Sequence, residues 1–196
     1  MKEFLHVGCG KKYKSDLNGF NNDNWNEVRF DIDENVNPDI VGTLTDMNSV
    51  ETASVDAIYS SHNIEHLYPH EVPLALNEFN RVLKDDGIVV LECPDLQQVC
   101  EAVANDKLLE PSYESPSGPI SPIDMLFGYR PSLAKGNHYM AHKCGFTYSV
   151  LNQAFLQAGF KANFGGKLIW DLWIVSFKQL LTEEEIKKIA EPFYPS

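Results

Sequence analysis

The chain has 196 residues, 43% hydrophobic and 22% charged, with a formal net charge of -12 at pH 7. This length supports an α/β domain with a full core, and so acidic a balance repels phosphate backbones and anionic membrane surfaces, which argues against nucleic-acid and membrane partners. No run approaches the roughly 20 apolar residues of a membrane span, "MKEFLHV" is too short and acidic for a signal peptide, and Cys9, Cys93, Cys100 and Cys144 form no C-x-x-C pair, so reduced thiols in a cytoplasm are expected.

Strand-like apolar runs recur, separated by helical or loop-rich segments. "EFLHV" (3–7) is the first, and "EVRFDI" (27–32) follows an Asn-rich loop. "PDIVG" (38–42) is a short third, "VDAIYS" (55–60) the fourth and "GIVVLECP" (87–94) the fifth. Residues 88–91 are continuously apolar, as in a central parallel strand covered on both faces. Before that strand, Val72, Ala75, Leu76, Phe79, Val82 and Leu83 fall at helical spacing, Pro73 suits a first turn, and "DDG" stops the helix. A further helix is predicted over 95–107. Residues 111–137 carry five prolines with Ser and Gly between them, the composition of a lid-like binding loop. Helix returns over 147–159, with Thr147 as N-cap and Gly159 at its end. "KLIWDLWIVSFKQ" (167–179) reads as a closing strand or hairpin strand that packs Trp170 and Trp173. "TEEEIKKIAEPF" (182–193) is a last helix with Thr182 and Glu185 at capping-box spacing. Five strands alternating with helices predict an α/β fold, mainly parallel and doubly wound, in a single domain over 1–196.

In such sheets ligands bind at the carboxyl ends of the strands, where strand order reverses. The first strand ends in Gly8-Cys9-Gly10, a bend through which bare backbone can approach a ligand. The dinucleotide fingerprint needs a third glycine where Tyr13 stands, so a nucleoside lacking the pyrophosphate is the better match. Asp31 and Asp33 close the second strand. A carboxylate there can accept from both ribose hydroxyls, and Asp31, nearer the strand end, is favoured.

"HVGCG", "VRFDID", "VDAIYSSHNIEHL" and "NEFNRVLKDDGIVVLECPD", in this order and spacing, resemble successive motifs of class I S-adenosylmethionine-dependent methyltransferases over about residues 3–95. Beyond them, "GNHYMAHKCGFTYSVLNQAFLQAGF" is similar to the C-terminal part of an uncharacterised predicted-methyltransferase group. The resemblance implies a Rossmann-like, seven-stranded sheet with one antiparallel strand, "LWIVSF", near the C-terminus, and S-adenosylmethionine as cofactor. It implies that backbone at Gly8, Cys9 and Gly10 faces the methionine part, Asp31 and the adjoining Ile32 the ribose side, Thr43 and Leu44 the adenine, and Ser60, Ser61 and His62 the methyl-transfer side. Two departures stand out. Thr43 replaces an acid frequent at the adenine position, and "KKYKSDLNGFNNDNW" is poor in helical periodicity, so the helix after the first loop is expected to be short or absent.

His62-Asn63-Ile64-Glu65-His66 also matches H-x-x-E-H, a zinc metallopeptidase pattern when carried on a helix. Only about one turn is available before Pro69 and no third ligand is nominated, so this is a minor alternative and no metal is expected. Glu65 and His66 are read instead as turn residues bonded to nearby backbone. Methyl transfer needs alignment of acceptor, methyl and sulfur, and a hydroxyl acceptor needs its proton removed, a task that suits neutral histidine. His138, His142 and His62 are the candidates. The expected activity is methylation of a small-molecule acceptor, with a hydroxyl as one option; a non-enzymatic cofactor-binding module is the alternative.

Overall fold

The computed structural model describes residues 1–195. Its main sheet contains β1 (Lys2–Val7), β2 (Trp25–Asp31), β3 (Ile40–Val41), β4 (Val55–Ser61), β5 (Leu83–Pro94), β8 (Ala162–Lys167) and β9 (Asp171–Phe177). The strand order is β3-β2-β1-β4-β5-β9-β8. The first five strands are mutually parallel, and β9 runs antiparallel to both neighbours. Strand order therefore reverses between β1 and β4, which places a crevice at their carboxyl ends.

Alternation along the strands sorts the core into two layers. Leu5, Val7, Ile58, Val89, Leu91 and Ile174 face α1 (Val72–Val82) and α5 (Tyr148–Gln157), which contribute Ala75, Leu76, Phe79, Leu151 and Phe155. Phe4, Ala57, Tyr59, Val90, Trp173 and Val175 face the opposite way. The expected gap after the first loop is real: residues 8–24 form a single 3₁₀ turn, Lys14–Asp16, and no α-helix. Aromatic packing covers that face instead. Phe20 stacks on Phe4 at 4.2 Å between ring centroids and meets Phe193 at 4.8 Å. Phe193 closes the 3₁₀ turn Glu191–Phe193 that follows α6 (Glu183–Ala190), whose Thr182–Glu185 capping box is formed as predicted.

One strand of the main sheet has no counterpart in the sequence reading, and one local expectation is corrected. β8 is spelled "ANFGGK", which lacks the apolar alternation of a strand; its glycines serve close approach, since a Cβ on Gly165 would lie 2.1 Å from the Trp173 carbonyl oxygen. Thr147 occupies the N-cap position of α5 without capping it, its hydroxyl pairing with the Ser149 hydroxyl at 3.2 Å.

After α2 (Leu96–Ala104), the Pro-rich segment folds into a hairpin, β6 (Tyr113–Ser115) and β7 (Gly118–Ile120), then α3 (Pro122–Phe127) and α4 (Arg130–Leu133). Asp124 ties it together. Its carboxylate accepts from the Ser121 amide at 3.1 Å and from the Arg130 guanidinium at 2.7 and 3.0 Å. Burial opposes its charge, but these donors outweigh burial and hold the carboxyl below its usual range.

Candidate active site

The bend after β1 is built by two left-handed glycines, Gly8 (φ 59°) and Gly10 (φ 51°). Asp31 locks it from β2: Oδ2 accepts from the Gly10 amide at 2.8 Å, and Oδ1 from the Asp33 amide at 2.9 Å. Arg29 braces the other side of the bend. Its buried guanidinium donates to the carbonyls of Gly10, Val36 and Asn37 and stacks on Tyr13, 4.4 Å from the ring centroid. Sequence reasoning passed over Arg29, because a charged residue inside a strand carries no motif. Burial pushes the Cys9 thiol up to about 12, so Cys9 presents backbone rather than a reactive sulfur.

The surroundings fit a nucleoside. A Cβ on Gly10 would meet nothing within 4 Å, whereas one on Gly8 would strike the Asn63 amide at 2.3 Å. Ile32 and Val41, at the ends of β2 and β3, are 47% and 58% exposed, an apolar flank beside Asp31. Leu44 is buried in the core, so at 43–44 it offers main chain, and the Thr43 hydroxyl pairs with the Thr45 hydroxyl at 3.1 Å. On the third side, the buried polar atoms Ser60 Oγ, Ser61 Oγ and Asn63 Nδ2 have no hydrogen-bond partner. Unpartnered buried groups around a bare-backbone cradle are what a polar cofactor satisfies.

The candidate histidines separate. His138 is exposed on the turn His138–Met140 and does not line the cavity described below. His62 adopts a left-handed φ of 49°, with Nδ1 3.6 Å from Glu65 and Nε2 3.8 Å from Asp171. Burial would lower its pKa, but Glu65, Asp171 and Glu92 outweigh burial and raise it to about 9, which favours the imidazolium over the free base at neutral pH. His142 is held by its backbone amide on Phe127 O at 3.2 Å and its Nδ1 on Met125 O at 2.7 Å, with burial lowering its pKa. It lines a cavity of about 250 Å³ with Glu65, Met125, Phe127 and Cys144, at the carboxyl ends of β4 and β5.

Glu65 was read as a turn residue bonded to backbone, and this is corrected. Its backbone carbonyl does accept from Lys143 and Cys144, but its carboxylate is 1% exposed and neither oxygen has a hydrogen-bond partner. His66, by contrast, is bonded to backbone as expected, Nδ1 to Ala141 O at 3.1 Å. The stretch 64–66 is one 3₁₀ turn and not α-helix, so His62 and His66 do not share a helical face and the peptidase arrangement is not formed. An acid set between the apolar Ile64 and Leu67 in the short turn after β4 was the available signal for Glu65.

The bend, its acid and the reversal of strand order define an α/β protein with a bare-backbone cradle at the switch point of its sheet. The family model for the methyltransferase domain matches residues 5–91, which spans β1 to β5 up to Leu91. Over that stretch the chain is similar to methyltransferase domains, and S-adenosylmethionine is the cofactor that this likeness implies. Among solved structures, a Pyrococcus horikoshii protein is similar at 15% identity, with 91% of this chain and 82% of that chain covered and a TM-score of 0.61. A methyltransferase dependent on the same cofactor from Methanosarcina mazei gives 16%, 92%, 93% and 0.59, and one from Archaeoglobus fulgidus 16%, 90%, 86% and 0.57. At these identities the likeness is one of fold. No curated protein sequence matches the chain.

Proposed function

We propose that this enzyme methylates a hydroxyl group of a small molecule seated in the cavity between Glu65, Met125, Phe127 and His142. The observation that carries the proposal is the cavity itself: about 250 Å³, at the same edge of the sheet as the glycine bend, with one imidazole in its wall. That size suits a small acceptor, and the net charge of -12 speaks against nucleic acid. Among the described residues no helix is long and apolar enough to cross a membrane.

In this proposal the main chain at Gly8, Cys9 and Gly10, with the Asn63 amide, holds the methionine part of the cofactor. Asp31 takes the ribose hydroxyls, Ile32 and the main chain at Thr43 and Leu44 flank the base, and Ser60 and Ser61 line the methyl side. The cofactor supplies an electrophilic methyl on a sulfonium. The protein supplies alignment, by holding the acceptor oxygen in line with the methyl. His142 meets that oxygen. Its Nδ1 must carry a proton, because Met125 O can only accept, so Nε2 keeps a free lone pair for the hydroxyl. The segment 111–137 closes the cavity from above as a lid through Met125 and Phe127.

The test is transfer of isotopically labelled methyl from S-adenosylmethionine to a panel of small alcohols, phenols, amines and activated carbon acids. Methyl ethers should form, and His142→Ala should lower kcat by about 10²-fold or more with S-adenosylhomocysteine affinity unchanged. Methylation confined to nitrogen or carbon, or full activity in the variant, overturns the proposal.

A further inference from the structure

We propose that Glu65, His66 and His142 form a binding site for one divalent transition-metal ion beside the acceptor cavity. One ligand atom from each residue lies within 4.8 Å of the other two. Glu65 and His66 come from the turn after β4 and His142 from the irregular stretch that follows the Pro-rich segment, so the tertiary fold supplies the ligand that the H-x-x-E-H spacing alone does not name.

Hydrogen bonding sets the chemistry of each group. His66 donates Nδ1–H to Ala141 O at 3.1 Å, and His142 donates Nδ1–H to Met125 O at 2.7 Å. Carbonyl oxygens have no proton to give, so in its neutral form each ring carries the proton on Nδ1 and a lone pair on Nε2. An imidazole anchored through one nitrogen to a backbone carbonyl is the arrangement that orients metal-binding histidines. The third member is an acid 1% exposed, with neither oxygen hydrogen-bonded. His142 Nε2 lies 4.0 Å from Glu65 Oε1, and the His66 and His142 ring centroids are 4.8 Å apart. A lone pair facing a buried carboxylate is unfavourable unless a positive centre stands between them. The third imidazole near Glu65, that of His62, lies 3.6 Å from the carboxylate and reaches Asp171 at 3.8 Å through its other nitrogen.

A tetrahedral ion with bonds of about 2.1 Å separates its ligands by roughly 3.4 Å, so ligand atoms within 4.8 Å of one another complete the site by side-chain rotations that close them by up to about 1.4 Å. Two imidazoles and one carboxylate select Zn²⁺, Co²⁺, Mn²⁺ or Fe²⁺ over Mg²⁺ and Ca²⁺, which prefer all-oxygen sets. Three protein ligands leave a coordination position open, and Glu65 and His142 both face the cavity. Resting on the hydroxyl-acceptor proposal, a metal held there would acidify an acceptor hydroxyl in the cavity, whose proton would pass to solvent, and His142 would serve as ligand in place of base.

The test reads the metal and not turnover. Purified protein is stripped with chelator, reloaded with Zn²⁺ or Co²⁺, desalted, and analysed for metal content and for the visible spectrum of Co²⁺. About one equivalent should be retained, with absorption of four- or five-coordinate cobalt. His142→Ala, His66→Ala and Glu65→Gln should each weaken Zn²⁺ binding at least tenfold, while His138→Ala should not. Binding of S-adenosylhomocysteine to every variant, measured in parallel, reports that the fold survives. Failure to retain metal, or equal affinity in wild type and His142→Ala, overturns the site. Because the readout is metal, it stands whichever acceptor atom the enzyme proves to methylate.

Discussion

Gly8 and Asn63 occupy one space: a Cβ on Gly8 would lie 2.3 Å from the Asn63 side-chain nitrogen. The bend after β1 and the turn after β4 are thereby fitted to each other, although 55 residues separate them. Gly8→Ala therefore meets both a left-handed φ and a collision, and should lower stability by about 2 kcal/mol or more in urea melts. Asn63→Gly in the same chain should recover the collision part and leave about 1–2 kcal/mol. Gly10→Ala meets no neighbour within 4 Å. Its fold cost should be the left-handed part alone, with cofactor affinity falling further, as calorimetry with S-adenosylhomocysteine would record.

Asp31 holds the loop through Gly10 and Asp33 and, in the proposed function, the ribose. Asp31→Ala should weaken S-adenosylmethionine and S-adenosylhomocysteine binding at least tenfold, consistent with loss of hydrogen bonds to a charged acceptor worth about 1.5–3 kcal/mol. Equal calorimetric affinity in wild type and variant would contradict the ribose assignment.

Asp124 gives the Pro-rich segment an acid sensitivity. Its carboxyl is held below its usual value, and in the unfolded chain it titrates near ~3.9. Between those two values the unfolded chain binds the extra proton, so the stabilisation is full above about pH 5 and is lost as pH falls through the folded value. Asp124→Asn removes the dependence. Wild type should lose more stability than the variant between about pH 5 and pH 2.5, and amide exchange over residues 121–133 should show the same difference.

Gly165 lets β8 approach β9. Gly165→Ala drives a Cβ against the Trp173 carbonyl, a backbone atom that cannot swing aside. A loss of about 2–4 kcal/mol is expected by thermal or urea unfolding, within the range for overpacked buried sites. A neutral result would mean that the edge of the sheet shifts to admit the methyl group.

How far the sequence carried the structure follows from what each element is made of. β1, β2, β4 and β5 are apolar runs, and α1 has a clear stripe, so burial alone exposes them. β8 hid behind two glycines whose purpose is proximity to a neighbouring strand, which only the folded chain reveals. Gly8, Gly10 and Asp31 were legible because a bend of bare backbone and an acid at the next strand's end make a local pattern. The histidines were legible as a group and not by role. His62 titrates high because Glu65, Asp171 and Glu92 gather around it, and His142 meets Glu65 across 77 residues. Long-range electrostatic neighbourhoods of this kind leave no spacing to read.

The aromatic patch that replaces a helix behind β1 has a kinetic consequence. The opening strand meets Phe193 through Phe20, so the two extremes of the described chain close on each other across the back of the sheet. Contacts so distant along the backbone impose a heavy loop-closure entropy on the rate-limiting step. Refolding should accordingly be slower for this domain than for one whose first crossover brings its own helix, and clipping the tail ahead of Phe193 should leave the inner strands paired while the aromatic side lies open to hydrophobic dyes.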